Sequence, residues 1–296
     1  MLKIRIGTAQ IIPGYGISSK KNLKIREFKK IIELAKKKKI FKIDTSEVYG
    51  NSHKILKKIQ SYKTDIGTKI LIKKEDNYIF LKKKILNFFK IFKNKHINYI
   101  LIHNFSQSNI KTISKNIRSL IKIRKETKNF KIGLSIYDDE DFIKLKKITK
   151  HFNVDIVQIP ISIFNQSFLK KKYINFFKKK RIYVQARSIY LQGLILMSQK
   201  EIKDKLKFND YNFFKNWDNF NKGSKKKKIF NCVQFVKKNK FIDEIVVGFQ
   251  NSLELKEFLV AYNSKKDIEL ENLNRFKLSN KKIYSPLNWE PKYENL

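Results

Sequence analysis

The sequence has one cysteine, four prolines and nine glycines among 296 residues. A single thiol, Cys232, excludes a disulfide framework within the chain. Its apolar-periodic surroundings (Ile229, Phe230, Val233, Val236) make it an expected buried structural residue. The scarcity of proline and glycine leaves no linker to divide the chain into separate units. No apolar run approaches the ~20 residues of a membrane span, and MLKIRIGTAQ at the start has no apolar segment of a secretion signal. The expected location is therefore the cytoplasm, with no membrane contact.

Acidic residues are also short: 26 against 67 basic, a net charge of +41. Such a balance usually points to nucleic acid or an anionic surface. Here the lysines spread along the whole chain, and Lys, Ile, Asn, Phe and Tyr are inflated together while Gly, Pro, Ala, Met and Trp are scarce. That pattern follows from AT-rich codons, and no motif supports a nucleic-acid-binding protein, so no specific nucleic-acid partner is expected. With 42% hydrophobic and 13% aromatic residues the chain has ample material for a core, which excludes the disordered class.

Short β-rich runs alternate with longer helical patterns from end to end, as in a parallel sheet of βα units. The runs are Ile4–Gly7, Phe41–Ile43, Asp65–Thr68, Tyr99–Ile102, Lys131–Leu134, Ile156–Ile159, Ile182–Gln185 and Ile245–Val247. Between them apolar residues recur at helical spacing, as in Phe28, Ile31, Ile32 and Ala35, or Ile113, Ile117, Leu120 and Ile121. Eight units without a break predict an α/β fold of the (β/α)8 TIM-barrel kind rather than an open doubly wound sheet. One domain is expected over 1–296. The stretch Gly193–Gly223 reads as a long loop with extra helical turns, and about 264–296 as a helix and tail packed outside the barrel.

Barrel enzymes carry their chemistry where strands end and βα loops begin. Four polar residues stand there: Asp44, Tyr49 in DTSEVYG, Lys69 closing IGTK, and His103 closing NYILIH. Singly, each has an ordinary reading: a helix cap, a half-buried ring, a surface lysine, a satisfied core histidine. Together, a lysine and an aspartate beside a tyrosine form a recognisable acid, in which the ammonium is expected to lower the phenol pKa.

At this point the sequence resembles the aldo-keto reductase family over almost its whole length. GTAQ (Gly7–Gln10) is similar to the family's first strand, and DTSEVYGNS (Asp44–Ser52) to its DTAxxYGxSE signature. TK (Thr68–Lys69), LIHN (Leu101–Asn104), IGLS (Ile132–Ser135), VQIPISIFN (Val157–Asn165), ARSIYLQGLIL (Ala186–Leu196) and VVGFQNSLELKEF (Val246–Phe258) follow in family order. YGI at Tyr15–Ile17 and the ARSxxLQG form resemble a bacterial branch associated with sugar or cell-envelope metabolism.

The resemblance implies a catalytic tetrad of Asp44, Tyr49, Lys69 and His103, reducing a small-molecule carbonyl with a nicotinamide hydride. Tyr49 would act as the proton donor, and His103 would orient the carbonyl oxygen. It also implies that Ser135 and Gln158 hold the nicotinamide carboxamide, and that the loop from Ser188 through Gln192 and Gly193 approaches the pyrophosphate. Gly248, Gln250 and Asn251, before a helix starting near Ser252, would receive the adenosine-side phosphate. Gln158 alternatively reads as one inward-pointing barrel residue. The implied cofactor is NADP, with NAD possible; no metal is implied, and no oligomeric state.

Several positions depart from the family pattern. Ile136 replaces an Asn, Arg187 replaces the aromatic residue that often stacks on the nicotinamide, Phe258 replaces the Asn of LxEN, and His53 stands for Glu. A catalytically silent cofactor-binding regulatory protein of the same fold is the alternative function. The substrate pocket is expected from loops Ile11–Lys20, Asn104–Asn109 and Leu191–Gly223, with Tyr15, Phe105 and Trp217 as pocket-lining or packing aromatics.

Overall fold

Each β-rich run of the sequence forms a strand, and each periodic stretch between them a helix. The computed structural model of the chain describes residues 2–17, 23–59, 64–92 and 97–289; residues 18–20 of the first pocket loop and 290–296 of the tail lie outside these. The strands are β1 (Lys3–Gly7), β2 (Lys42–Asp44), β3 (Asp65–Ile70), β4 (Ile97–Ile102), β5 (Lys131–Ser135), β6 (Ile156–Pro160), β7 (Tyr183–Arg187) and β8 (Glu244–Val247). All pair in parallel in chain order, and β8 returns to β1 through Ile4↔Ile245 and Ile6↔Val247. This is a closed (β/α)8 barrel.

The helices are α1 (Ile25–Lys37), α2 (Ser52–Ile59), α3 (Tyr78–Ile91), α4 (Ile110–Glu126), α5 (Asp139–Ile148), α6 (Lys171–Lys179), α7 (Gln199–Lys205), α8 (Asn212–Phe220), α9 (Lys225–Lys238), α10 (Ser252–Asn263), α11 (Leu270–Asn274) and α12 (Lys281–Tyr284). Their starts are set by polar caps: Asn77, Asn109, Ser224 and Asn251 each accept a first-turn N–H. Lysines fill last turns, as in α1, α6 and α9, where they complement the negative helix end. The α1 face of Phe28, Ile31, Ile32 and Ala35 is buried, and α1 packs beside α10. Each large apolar side chain so buried contributes about 1.5–3 kcal/mol.

The main apolar core lies between strands and helices, and a separate small apolar cluster is formed by Tyr99, Leu101 and Ile156. Much of the barrel interior is polar. Arg5, Asp44, Lys69, Gln158, Gln185 and Glu244 are all buried. Arg5 donates to Glu244 at 2.8 Å and to Asp65 at 3.0 Å, so the base of the barrel is closed by paired charges. Tyr99 fits because its register partner is Gly67, where a Cβ would meet the phenol ring at 1.8 Å.

The long stretch after β7 forms α7 and α8. Trp217 is buried there, donates from Nε1 to the Ile195 carbonyl at 2.8 Å and packs against Phe276 at 5.0 Å. Phe105 is likewise fully buried. Both aromatics are therefore packing residues, because the core around each claims the whole ring. Cys232 is buried in α9, and burial pushes its thiol pKa up, which leaves it inert. Among the described residues no helix is long and apolar enough to cross a membrane.

Candidate active site

The C-terminal ends of the strands open into a cavity of about 620 Å³. Asp44 ends β2, Lys69 lies in β3, His103 follows β4, and Tyr49 sits in the turn after β2; the structure brings these four side chains together at the cavity's inner end. Lys69 donates to Asp44 in a buried ion pair and lies 3.5 Å from the Tyr49 hydroxyl. The Tyr49 and His103 rings meet edge to face at 5.8 Å. Among the described residues no group of three or more His, Cys, Asp or Glu gathers to hold a metal ion.

The electrostatics correct one expectation. Burial is the largest influence on Tyr49 and raises its phenol pKa; the nearby Asp44 carboxylate raises it further, and the Arg187 guanidinium pulls the other way. The Lys69 ammonium, 3.5 Å from the hydroxyl, does not bring the phenol below its ordinary value as the sequence led us to expect, because burial and the Asp44 carboxylate outweigh it. Burial pulls Lys69 itself down against the pull of that carboxylate. Tyr49 is thus a neutral phenol, with its proton held. His103 is neutral too: burial, then Lys69 and Arg187, lower its pKa to about 3.

Other side chains fix this cluster. Tyr99 donates to Asp44 at 2.6 Å and Gln158 donates to it at 3.0 Å. Ser46, which stands where the family signature has Ala, bonds His103 Nδ1 at 3.1 Å. Neither Tyr99 nor Ser46 was found from sequence; the register of Tyr99 opposite a glycine was the available signal for the first. His53 contacts Thr68 at 3.2 Å and lies edge to face on Phe88 and Phe92, and burial lowers its pKa to about 4.

Both His53 and His103 therefore bind protons in the unfolded chain near the ordinary 6.5, and much lower in the fold. Their contribution to stability is full above about pH 6.5 and is lost as pH falls toward 4 and 3. Urea unfolding at about pH 7 and about pH 4.5 is expected to show a loss on the order of 2 kcal/mol or more, and His53→Gln is expected to flatten part of that slope.

The residues expected to hold a cofactor also line the cavity: Ser135, Gln158, Arg187, Ser188, Gln192 and Gly193 on one side, Gly248 and Gln250 on another. The Gln158 amide nitrogen is engaged by Asp44 and by Gln185 at 3.1 Å, so only its oxygen is left for a ligand. It is both an inward barrel residue and a wall of the cavity. The loop after β7 has left-handed backbone at Ser188, Leu191, Gln192 and Gly193. Positive φ at a bulky residue such as Leu191 is costly and marks a shape held for use.

At the start of α10 the expected phosphate seat is partly filled. Asn251 accepts the Glu254 N–H at 3.0 Å, and the Glu254 carboxylate accepts the Gln250 N–H at 2.8 Å. Ile136 and Phe258 are fully buried; Phe258 packs on Phe249 at 5.5 Å. The cavity is lined besides by residues missed from sequence. Tyr137 and Asp138 follow β5, and Lys281, Tyr284 and Ser285 come from the C-terminal segment. That segment was expected as a helix and tail outside the barrel; it forms α11 and α12, and Lys281 bonds Asp138 at 2.6 Å. Tyr15 lines the cavity as well.

No protein-family model matches the sequence, and no curated protein matches it either. Solved structures do. Aldo-keto reductase AKR11C1 from Bacillus halodurans, in its holo form, superposes with a TM-score of 0.71 at 13% identity, covering 97% of this chain and 95% of that one. MGS-M4, an aldo-keto reductase from a Medee basin deep-sea metagenome library, gives 0.66 at 17% identity over 94% and 91%. An aldo/keto reductase from Brucella melitensis gives 0.63 at 17% over 92% of each chain. At these identities the likeness is one of fold: the chain carries the barrel fold of solved aldo-keto reductases, as its ordered motifs led us to expect.

Proposed function

We propose that this chain is an NAD(P)H-dependent reductase that converts an aldehyde, ketone or sugar carbonyl to an alcohol, with Tyr49 as general acid. The observation that carries this reading is the half-buried Tyr49 phenol 3.5 Å from the Lys69–Asp44 pair and edge to face with His103, on the wall of a cavity at the barrel rim. The cavity, the orphaned Gln10 amide oxygen and the left-handed loop after β7 suit a nicotinamide dinucleotide. Such a cofactor supplies the hydride.

Tyr49 donates its phenolic proton to the carbonyl oxygen as negative charge develops there. With its pKa raised, the phenol holds its proton at every physiological pH and releases it only as the carbonyl oxygen becomes basic. Lys69, at 3.5 Å, then stabilises the phenolate left behind. Asp44 keeps Lys69 charged despite its burial, and Tyr99 and Gln158 hold Asp44 in place. His103, fixed by Ser46, orients the carbonyl oxygen from the other side.

Glu254 bears on the form of the cofactor. Its carboxylate at the α10 start, with Glu257 also lining the cavity, opposes an added phosphate there and favours NADH over NADPH. Fluorescence titration with both reduced cofactors is expected to show tighter NADH binding, and Glu254→Gln is expected to shift the ratio toward NADPH by about tenfold. Tighter NADPH binding in the unaltered chain contradicts this assignment. Turnover of a carbonyl panel with bound NADH tests the reaction itself.

A further inference from the structure

Arg187 lines the cavity at a position expected to hold the cofactor, yet the mechanism above gives its guanidinium no task. It ends β7, its guanidinium lies over the Tyr137 ring at 4.1 Å, and Nη1 donates to Ser188 Oγ at 3.3 Å. Its Nε and Nη2 are shielded from solvent and have no hydrogen-bond partner. A buried, unpaired guanidinium edge is costly, since the desolvation of its N–H groups is not offset. The nearby carboxylates are committed elsewhere: Asp44 to Lys69, Tyr99 and Gln158, and Asp138 to Lys281 and the α5 N-terminus.

Nε and Nη2 form the side edge of the guanidinium, where two N–H bonds run parallel and match two oxygens of one anionic group. The Tyr137 ring beneath the guanidinium and the bond to Ser188 hold that edge in place. Arg187 lines the same cavity as Tyr15, Tyr49 and His103, and its charge acts on all three.

We propose that Arg187 seats an anionic two-oxygen group of the substrate, so that this chain reduces carbonyl compounds bearing a carboxylate or a phosphate. The proposal rests on the reductase reading and names its substrate class. Arg187 then acts as a specificity residue, holding the anionic end while Tyr49 and His103 meet the carbonyl. The chain's overall charge of +41 attracts any anion, but only the fork distinguishes substrates once they are bound.

The test compares reduction of para-carboxybenzaldehyde with that of its methyl ester, and of phosphorylated with unphosphorylated glyceraldehyde, by the full chain and by Arg187→Leu and Arg187→Gln. The unaltered chain is expected to prefer the anionic member of at least one pair by about 10- to 100-fold in kcat/KM, with both substitutions collapsing that ratio toward unity. The pair that shows the preference separates carboxylate from phosphate. A ratio near unity in both pairs, or a ratio that survives both substitutions, overturns the seat and leaves carbonyl reduction standing. Absence of turnover with every substrate sinks the reductase reading instead. The seat is then decided by calorimetric titration with benzoate and inorganic phosphate: binding that both substitutions weaken by about tenfold or more supports it, and equal or absent binding overturns it.

Discussion

Tyr49→Phe is expected to lower carbonyl reduction by about a hundred- to ten-thousand-fold, the range a positioned general acid supplies. The substitution removes one oxygen and leaves the ring, so the edge-to-face contact with His103 and the cavity wall stay in place. Cofactor titration is therefore expected to give an unchanged Kd, and the loss to fall on kcat rather than on KM. Because the phenol is raised rather than lowered, the unaltered enzyme is also expected to keep its acid function as pH rises past neutrality. An equal loss of cofactor affinity in Tyr49→Phe places the residue in binding rather than in proton transfer.

Lys69→Met is expected to act on two quantities at once. It removes the cation that stabilises the Tyr49 phenolate, so activity at neutral pH falls by an amount comparable to the loss in Tyr49→Phe. It also leaves Asp44 buried without its ion partner, which costs about 3–5 kcal/mol of stability. Tyr99 and Gln158 still donate to that carboxylate, which places the expected cost toward the lower end. Adding Asp44→Asn removes the stranded charge. The double variant is then expected to regain most of the stability and none of the activity, a non-additivity that chemical unfolding and steady-state rates read separately. Simple additivity in stability contradicts the buried pairing.

Much of the architecture was legible because a barrel repeats one pattern eight times. Ile4–Gly7 or Tyr99–Ile102 can be placed by their β-rich character, and the helices between by spacing alone. The four polar residues at strand ends were legible for the same reason, since a strand end fixes the rim on which its next side chain lies. What was not legible depends on burial and on contacts between distant segments. The phenol of Tyr49 was read as lowered because a lysine paired with Asp44 stands nearby, but spacing does not reveal how far desolvation of the hydroxyl outweighs that charge. Trp217 and Phe105 have the same residue character in a pocket as in a core, and only packing around Phe276 and Ile195 decides for Trp217. Lys281 reaches the rim through Asp138, more than a hundred residues away in the chain.

The position of Arg187 gives a different lesson. Its departure from the aromatic residue of the family pattern reads in sequence as a defect in the cofactor site. In the fold, the same departure places an unpartnered guanidinium edge over Tyr137 in the cavity that Tyr49 lines.

The most direct test of the central claim is a single-turnover experiment, in which chain preloaded with reduced nicotinamide is mixed with aldehydes, ketones and sugars and the reduced-ring absorbance is followed. The expected result is decay with at least one carbonyl compound, lost in Tyr49→Phe at unchanged cofactor occupancy. Tight cofactor binding with no decay in the unaltered chain, or decay that Tyr49→Phe leaves intact, contradicts it; the first outcome makes this barrel a silent cofactor-binding protein.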